Sequence, residues 1–187
     1  MRLFTGIDLD LVTRDSIGNL IDGFRKTADL QWSPVGNLHI TTKFLGEYPP
    51  EKLTEVKTAL ARVPVSGPLN IRLRGLGWFP NPHNPRSFWV GIDAGDTIAV
   101  LAKATNVALS EIGIALESKP FSPHLTLARI RAQETNLRPL RAAIAGLPSV
   151  EFGTFVAPSF HLYLSELHST GSSYTKIAEF PLSILSI

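Results

Sequence analysis

The chain repeats itself. His39-Ile40-Thr41 returns as His124-Leu125-Thr126, 85 residues further on. Phe4-Thr5-Gly6-Ile7-Asp8 resembles Trp89-Val90-Gly91-Ile92-Asp93 at the same offset of 85. Leu53, Val56, Leu60, Val63 and Pro64 match Leu137, Leu140, Ile144, Leu147 and Pro148 at an offset of 84. Three blocks that keep their order and nearly their spacing indicate a duplicated unit. The expected organisation is a single bilobal domain with an internal repeat, roughly 1–84 and 85–187. The segment Pro80 to Arg86 near the boundary is rich in turn residues, but strand-like sequence flanks it too tightly for a flexible linker.

Each half reads strand–helix–strand–helix–strand, with extra strands. Leu3 to Leu9 has the look of a strand. Ile17, Leu20, Ile21, Phe24 and Ala28 recur at helical spacing, as do Ile98, Leu101, Ala102, Ala108, Leu109 and Ile112. Each His-x-Thr segment is bounded by turn signals and rich in β-branched residues, which predicts strands. A second helix follows in each half; Pro139 fits only a first helical turn, so the last helix begins late. Ile71 and Leu73 alternate with Arg72 and Arg74, and Phe160, Leu162 and Leu164 alternate with His161, Tyr163 and Ser165. The predicted class is α+β: two pseudo-twofold-related lobes, each an antiparallel sheet with helices packed on its outer face, and the two His-x-Thr strands facing a central cleft.

Composition narrows the chemistry. Apolar residues make up 44% of the chain and charged residues 18%, a balance that favours a folded core over disorder. Net charge is only +2, so attraction to phosphate has to come from local clusters such as Arg129, Arg131, Arg138 and Arg141. There is no cysteine, which removes thiolate metal sites and cysteine nucleophiles. Asp8 arrives too soon for a signal-peptide apolar stretch, and no window approaches the roughly 20 apolar residues of a membrane span. The expectation is a soluble cytoplasmic protein.

On a strand, residues i and i+2 share a face. His39 and Thr41 therefore point together, as do His124 and Thr126, with Ile40 and Leu125 turned to the core. Two imidazoles meeting across a cleft suit displacement at phosphorus. Histidine takes or gives a proton near neutral pH; one ring removes a proton from attacking water while the other protonates the leaving ribose oxygen. Threonine hydroxyls can hold the non-bridging oxygens. No acidic metal-binding cluster accompanies the motifs, and neither a metal nor another cofactor is expected. A lone His-x-Thr says little; the pair at equivalent places in a duplicated chain carries the inference. Twofold symmetry alone leaves open which ring is acid and which is base. His83, His161 and His168 have no repeat partner.

His39-Ile40-Thr41-Thr42-Lys43-Phe44-Leu45-Gly46-Glu47 and Phe121-Ser122-Pro123-His124-Leu125-Thr126-Leu127-Ala128-Arg129 resemble the two signature segments of the RNA 2′,3′-cyclic phosphodiesterases. These belong to the two-histidine phosphoesterase superfamily, historically linked to 2′–5′ RNA ligase activity. The resemblance extends to Arg2-Leu3-Phe4, to Pro85-Arg86-Ser87-Phe88-Trp89-Val90-Gly91, and to Leu162-Tyr163-Leu164-Ser165 with Gly171 and Tyr174. It implies hydrolysis of an RNA-terminal 2′,3′-cyclic phosphate to a 2′-phosphate, with His39 as proton donor and His124 as proton acceptor. Thr41, Thr126, Lys43 and Arg129 become the expected substrate-binding residues. The implied partner is RNA with a cyclic phosphate end or a small cyclic nucleotide, with no membrane and no obligate protein partner.

Strand parity bears on the last two. Lys43 shares the face of His39, whereas Arg129 falls on the opposite face unless a bulge re-aims it. Ala128 stands where the first motif has Lys43, so charge assistance from this position is one-sided. Phe44 could stack a base, but its parity assigns it to the core. Two other functions fit the same residues: a nucleotide-binding module without turnover, and a metal-dependent hydrolase using His39, His124 and a third histidine as ligands.

Overall fold

The computed structural model describes residues 1–65, 67–131, 135–169 and 171–182. In chain order the elements are β1 (Arg2–Asp8), α1 (Leu11–Arg25), β2 (Gln31–Trp32), β3 (His39–Glu47), α2 (Leu53–Ala61), β4 (Leu69–Phe79), β5 (Ser87–Asp93), α3 (Thr97–Ser110), β6 (His124–Arg129), α4 (Arg138–Ala145), β7 (Glu151–Ala157), β8 (Ser159–His168) and β9 (Gly171–Pro181). Local chemistry sets several of these limits. The Asp10 carboxylate accepts the Thr13 N–H at 2.8 Å and starts α1. Pro139 sits in the first turn of α4, as its missing N–H requires.

All strand pairs are antiparallel and form one continuous sheet in the order β7-β4-β5-β6-β3-β1-β8-β9, with β2 pairing to β6. The sheet has a natural midline. β3 and β6 touch through a single residue pair, Ile40 and Leu125, both fully buried. On one side lie β3, β1, β8 and β9; on the other lie β6, β5, β4 and β7. Hence the lobes in space are not the two halves of the sequence. Strand β4 comes from the first half and pairs with β5, while β8 comes from the second half and pairs with β1.

The helices exchange in the same way. Helix α1 packs on β7, and α3 packs on β3 and on α2. Ile17, Ile21 and Phe24 bury the inner stripe of α1, with the Phe24 ring 5.9 Å from that of Phe88 in β5. Val56 in α2 and Leu140 in α4, matched by the repeat, are both fully buried. Reciprocal exchange of strands and helices leaves neither half with a complete core of its own.

The structure corrects one repeat block. Across β1 and β3 the partners are Asp8–His39, Gly6–Thr41, Thr5–Lys43 and Phe4–Phe44. Across β5 and β6 they are Gly91–His124, Trp89–Thr126, Phe88–Ala128 and Ser87–Arg129. Asp8 is therefore equivalent to Gly91, and Gly6 to Trp89. The sequence match of Gly6 with Gly91 is out of register by two residues. A two-residue slip preserves the in-out alternation of a strand, so apolar patterning cannot reveal it.

Candidate active site

His39 and His124 open strands β3 and β6. With Ile40 and Leu125 as the antiparallel pair between them, His39 falls beside Thr126 and His124 beside Thr41. The four side chains named by the repeat share one face at the midline, as expected. The Nδ1 of His39 lies 2.7 Å from the Asn37 carbonyl oxygen, and the Nδ1 of His124 lies 2.7 Å from that of Ser122. A carbonyl only accepts, so each neutral ring carries its proton on Nδ1 and leaves Nε2 as the nitrogen for chemistry. The carbonyl in each case belongs to the residue two positions upstream, so the duplicated strand start positions both rings identically.

Aromatic walls hold the rings. The Phe4 ring is 4.6 Å from His39, that of Tyr174 is 4.9 Å away edge-on, and that of Tyr163 is 5.8 Å away. Gly6 lies between Phe4 and His39 on this face; a Cβ there would meet the Ile40 carbonyl oxygen at 2.9 Å. On the other side Phe79 stands T-shaped to His124 at 4.8 Å, with Trp89 at 6.3 Å. The Trp89 indole lies against Gly77, where an added Cβ would come within 2.2 Å of the ring.

Burial holds both imidazoles below their ordinary pKa; the backbone carbonyls oppose it. The positive charge of Arg129 lowers both, and His124 lowers His39. Both rings thus share one electrostatic environment with Arg129. That arrangement suits a bound anion, which would relieve the repulsion between Arg129 and a charged imidazole.

A pair of matching bulges decides which neighbours reach this face. Between Thr41 and Lys43 the register skips Thr42, and between Thr126 and Ala128 it skips Leu127. The extra residues are accommodated: the Thr42 hydroxyl bonds that of Thr5 at 2.8 Å, and the Leu127 carbonyl accepts the Ser33 N–H at 2.8 Å. Beyond each bulge the parity reverses. Arg129 is turned onto the face of the histidines, the outcome that parity alone denied it.

Lys43 is a correction in the opposite sense. It pairs with buried Thr5, is 6% exposed, and donates from Nζ to the Ala115 carbonyl at 2.7 Å. It does not share the face of His39. Burial pulls its pKa down, while the nearby Glu117 carboxylate raises it. Phe44 is the converse correction: it pairs with Phe4 on the histidine face and is 57% exposed instead of buried in the core. A cavity of about 880 Å³ opens beside Thr41, Phe44 and His124, walled further by Phe79 and Phe121, and Lys43 also lines it from its buried position. Its size is within the range of about 300–1,000 Å³ usual for small-ligand clefts.

Sequence reasoning missed the polar group behind His39. Asp8, directly across the strand pair from His39, accepts a hydrogen bond from the Tyr163 hydroxyl at 2.6 Å and an ion pair from Lys176. Arg14 stands 3.7 Å from the same carboxylate. Burial pushes Asp8 up, but the bonds from Lys176 and Tyr163 and the charges of Lys176 and His161 outweigh it, so its carboxyl stays below the usual range. Burial and the neighbouring carboxylate push the Tyr163 phenol up, so it remains a donor. Asp8 and Tyr163 are 155 residues apart, and no motif links them. Among the described residues no three His, Asp or Glu side chains are grouped to hold a metal ion, and no helix is long and apolar enough to cross a membrane.

Comparison with known proteins identifies the family. The family described as LigT like Phosphoesterase matches twice, over residues 8–89 and 90–174. The RNA 2′,3′-cyclic phosphodiesterase of Methanocaldococcus jannaschii is 33% identical over 180 residues, spanning 96% of this chain and 100% of that protein. The protein of the same name from Methanothermobacter thermautotrophicus is 33% identical over 186 residues, spanning 97% and 99%. The crystal structure of TT0787 of Thermus thermophilus superposes with a TM-score of 0.83 at 30% identity, covering 97% of this chain and 98% of that one.

Proposed function

This chain belongs to the LigT-like phosphoesterase family, and we propose that it is an RNA 2′,3′-cyclic phosphodiesterase that opens a terminal cyclic phosphate to a 2′-phosphate. His124 Nε2 takes a proton from water as its oxygen forms a bond to phosphorus. The bond from phosphorus to O3′ breaks, and His39 Nε2 supplies the proton that O3′ needs. His39 ends neutral and His124 ends charged, so proton exchange with solvent resets the pair. Thr41, Thr126 and Arg129 bind the non-bridging oxygens, with Arg129 countering the charge that builds on them. The observation that carries this reading is the matched tether of the two imidazoles, each fixed through Nδ1 to a carbonyl 2.7 Å away with Nε2 left free. The expected substrates are RNA ends bearing a cyclic phosphate or small cyclic nucleotides, met in the cytoplasm.

The test is turnover of a short RNA ending in 2′,3′-cyclic phosphate, and of adenosine 2′,3′-cyclic phosphate, by purified protein. Conversion by wild type and its loss in the His39→Ala, His124→Ala double variant support the reading. Binding of both compounds without conversion would instead identify a nucleotide-binding module.

A further inference from the structure

The scaffold is twofold, yet the reaction needs one imidazole charged and the other neutral. Something outside the symmetry has to tell the rings apart. Their tethers do not, since both use the same carbonyl two residues upstream at the same distance. Arg129 does not, since it acts on both. The cross-strand partners do differ: His39 faces Asp8, and His124 faces Gly91.

We infer that Asp8 is a positioning residue that makes His39 the proton donor, by keeping a negative charge against that imidazole and not against its symmetry mate. The inference rests on the phosphodiesterase reading above. Residues directly opposite in an antiparallel pair have Cα atoms only about 4.5–5.5 Å apart, so the carboxylate lies within the reach of charge effects at the ring. Its orientation is fixed from three other elements: Tyr163 of β8 at 2.6 Å, Lys176 of β9, and Arg14 of α1 at 3.7 Å. His161 of β8 also acts on Asp8, and is itself 3.8 Å from Glu179 of β9. The charged and titratable groups around His39 are Asp8, Tyr163, Tyr174, Arg129 and His124. Burial is the largest influence on His39 and disfavours the charged ring, as do Arg129 and His124; Asp8 is the carboxylate in that set, and it favours the charged ring. Burial, the Ser122 carbonyl and Arg129 act on His124, with no carboxylate among these groups. Where the second lobe has Gly91, the first places a half-buried acid and three partners to hold it.

Two substitutions of opposite sign test this, read as the pH dependence of kcat/KM on adenosine 2′,3′-cyclic phosphate and as NMR titration of the His39 and His124 ring protons. In Asp8→Asn the negative charge is gone, His39 loses its proton at lower pH, and the alkaline limb moves down by about 0.5–1 pH unit, the scale of one charge several ångströms away. In Lys176→Met the carboxylate is less neutralised, and the alkaline limb moves up. The acid limb, to which His124 contributes most, moves less than the alkaline limb in both. Loss of fold would abolish activity, but would not shift one limb in opposite directions in the two variants. The NMR titration of folded Asp8→Asn reads the coupling even if turnover falls too low to follow. An unmoved alkaline limb with an unmoved His39 titration, or movement of the acid limb in its place, overturns the assignment. Wild-type protein without turnover would contradict the phosphodiesterase reading itself, a result separate from either of these.

Discussion

Phe44 and Arg129 occupy equivalent places in the two lobes, each turned onto the histidine face by a one-residue bulge just beyond its His-x-Thr motif. The same backbone device presents an aromatic ring in one lobe and a cation in the other. It also turns Lys43 and Ala128 away, so the two charged motif residues have opposite fates.

That contrast is testable. Arg129→Met is expected to lower kcat/KM by about 10²–10³, as for loss of a donor that meets transition-state charge. Lys43→Met is expected to keep kcat/KM near wild type, because its ammonium is engaged by the Ala115 carbonyl. Steady-state kinetics on adenosine 2′,3′-cyclic phosphate decide it. Equal losses in the two variants would show that Lys43 reaches the substrate.

Removing either histidine should be severe. His39→Ala and His124→Ala are each expected to reduce turnover by about 10² or more, the usual scale for a general acid or base. Far-UV circular dichroism should remain that of wild type, since neither ring belongs to the apolar core. A single variant with the wild-type rate would rule out the two-base scheme.

The pH profile should be a bell displaced to the acid side. Burial and Arg129 hold both imidazoles below the ordinary value of 6.5. In the proposed scheme, protonation of His124 removes the base on the acid limb, and deprotonation of His39 removes the acid on the alkaline limb. Both limbs of kcat/KM, as macroscopic values of the coupled pair, therefore lie lower than for free imidazole. In kcat a bound phosphate anion raises both. A kcat/KM optimum above about pH 7.5 would contradict this environment, since unperturbed imidazole titrates near 6.5.

Chelation separates acid–base catalysis from a metal-dependent route. Turnover is expected to persist after prolonged dialysis against EDTA, and added zinc is expected not to raise it. Loss of activity on dialysis, recovered with zinc, would make the histidines ligands.

Close packing beneath Trp89 gives a stability prediction. Gly77→Ala drives a methyl into the indole, and overpacking of this kind costs about 1–3 kcal/mol. Urea unfolding should show the loss. Turnover should fall as well, because Trp89 and Phe79 flank His124. Unchanged stability would mean that the indole has room to move aside.

Much of the site was legible because it depends on strand parity near the motif. His39, Thr41, His124 and Thr126 share a face by period alone, and the duplication supplied their meeting. Parity failed where a bulge intervened, and nothing in Thr42 or Leu127 marks an extra residue. The β1 and β5 match slipped by two because a strand reads the same after two residues. The exchange of β4 and β8 between lobes was invisible for another reason: both alternate like any half-buried strand, and partner choice is a long-range matter. Asp8 was in view as part of a repeated block, but its partners Tyr163 and Lys176 arrive from the far end of the chain.

Product identity tests the central claim most directly. Adenosine 2′,3′-cyclic phosphate incubated with the protein and resolved by phosphorus NMR should give the 2′-phosphate alone, because in the proposed reaction O3′ is the leaving oxygen. Formation of the 3′-phosphate, or of a mixture, would contradict the proposed cleavage at O3′.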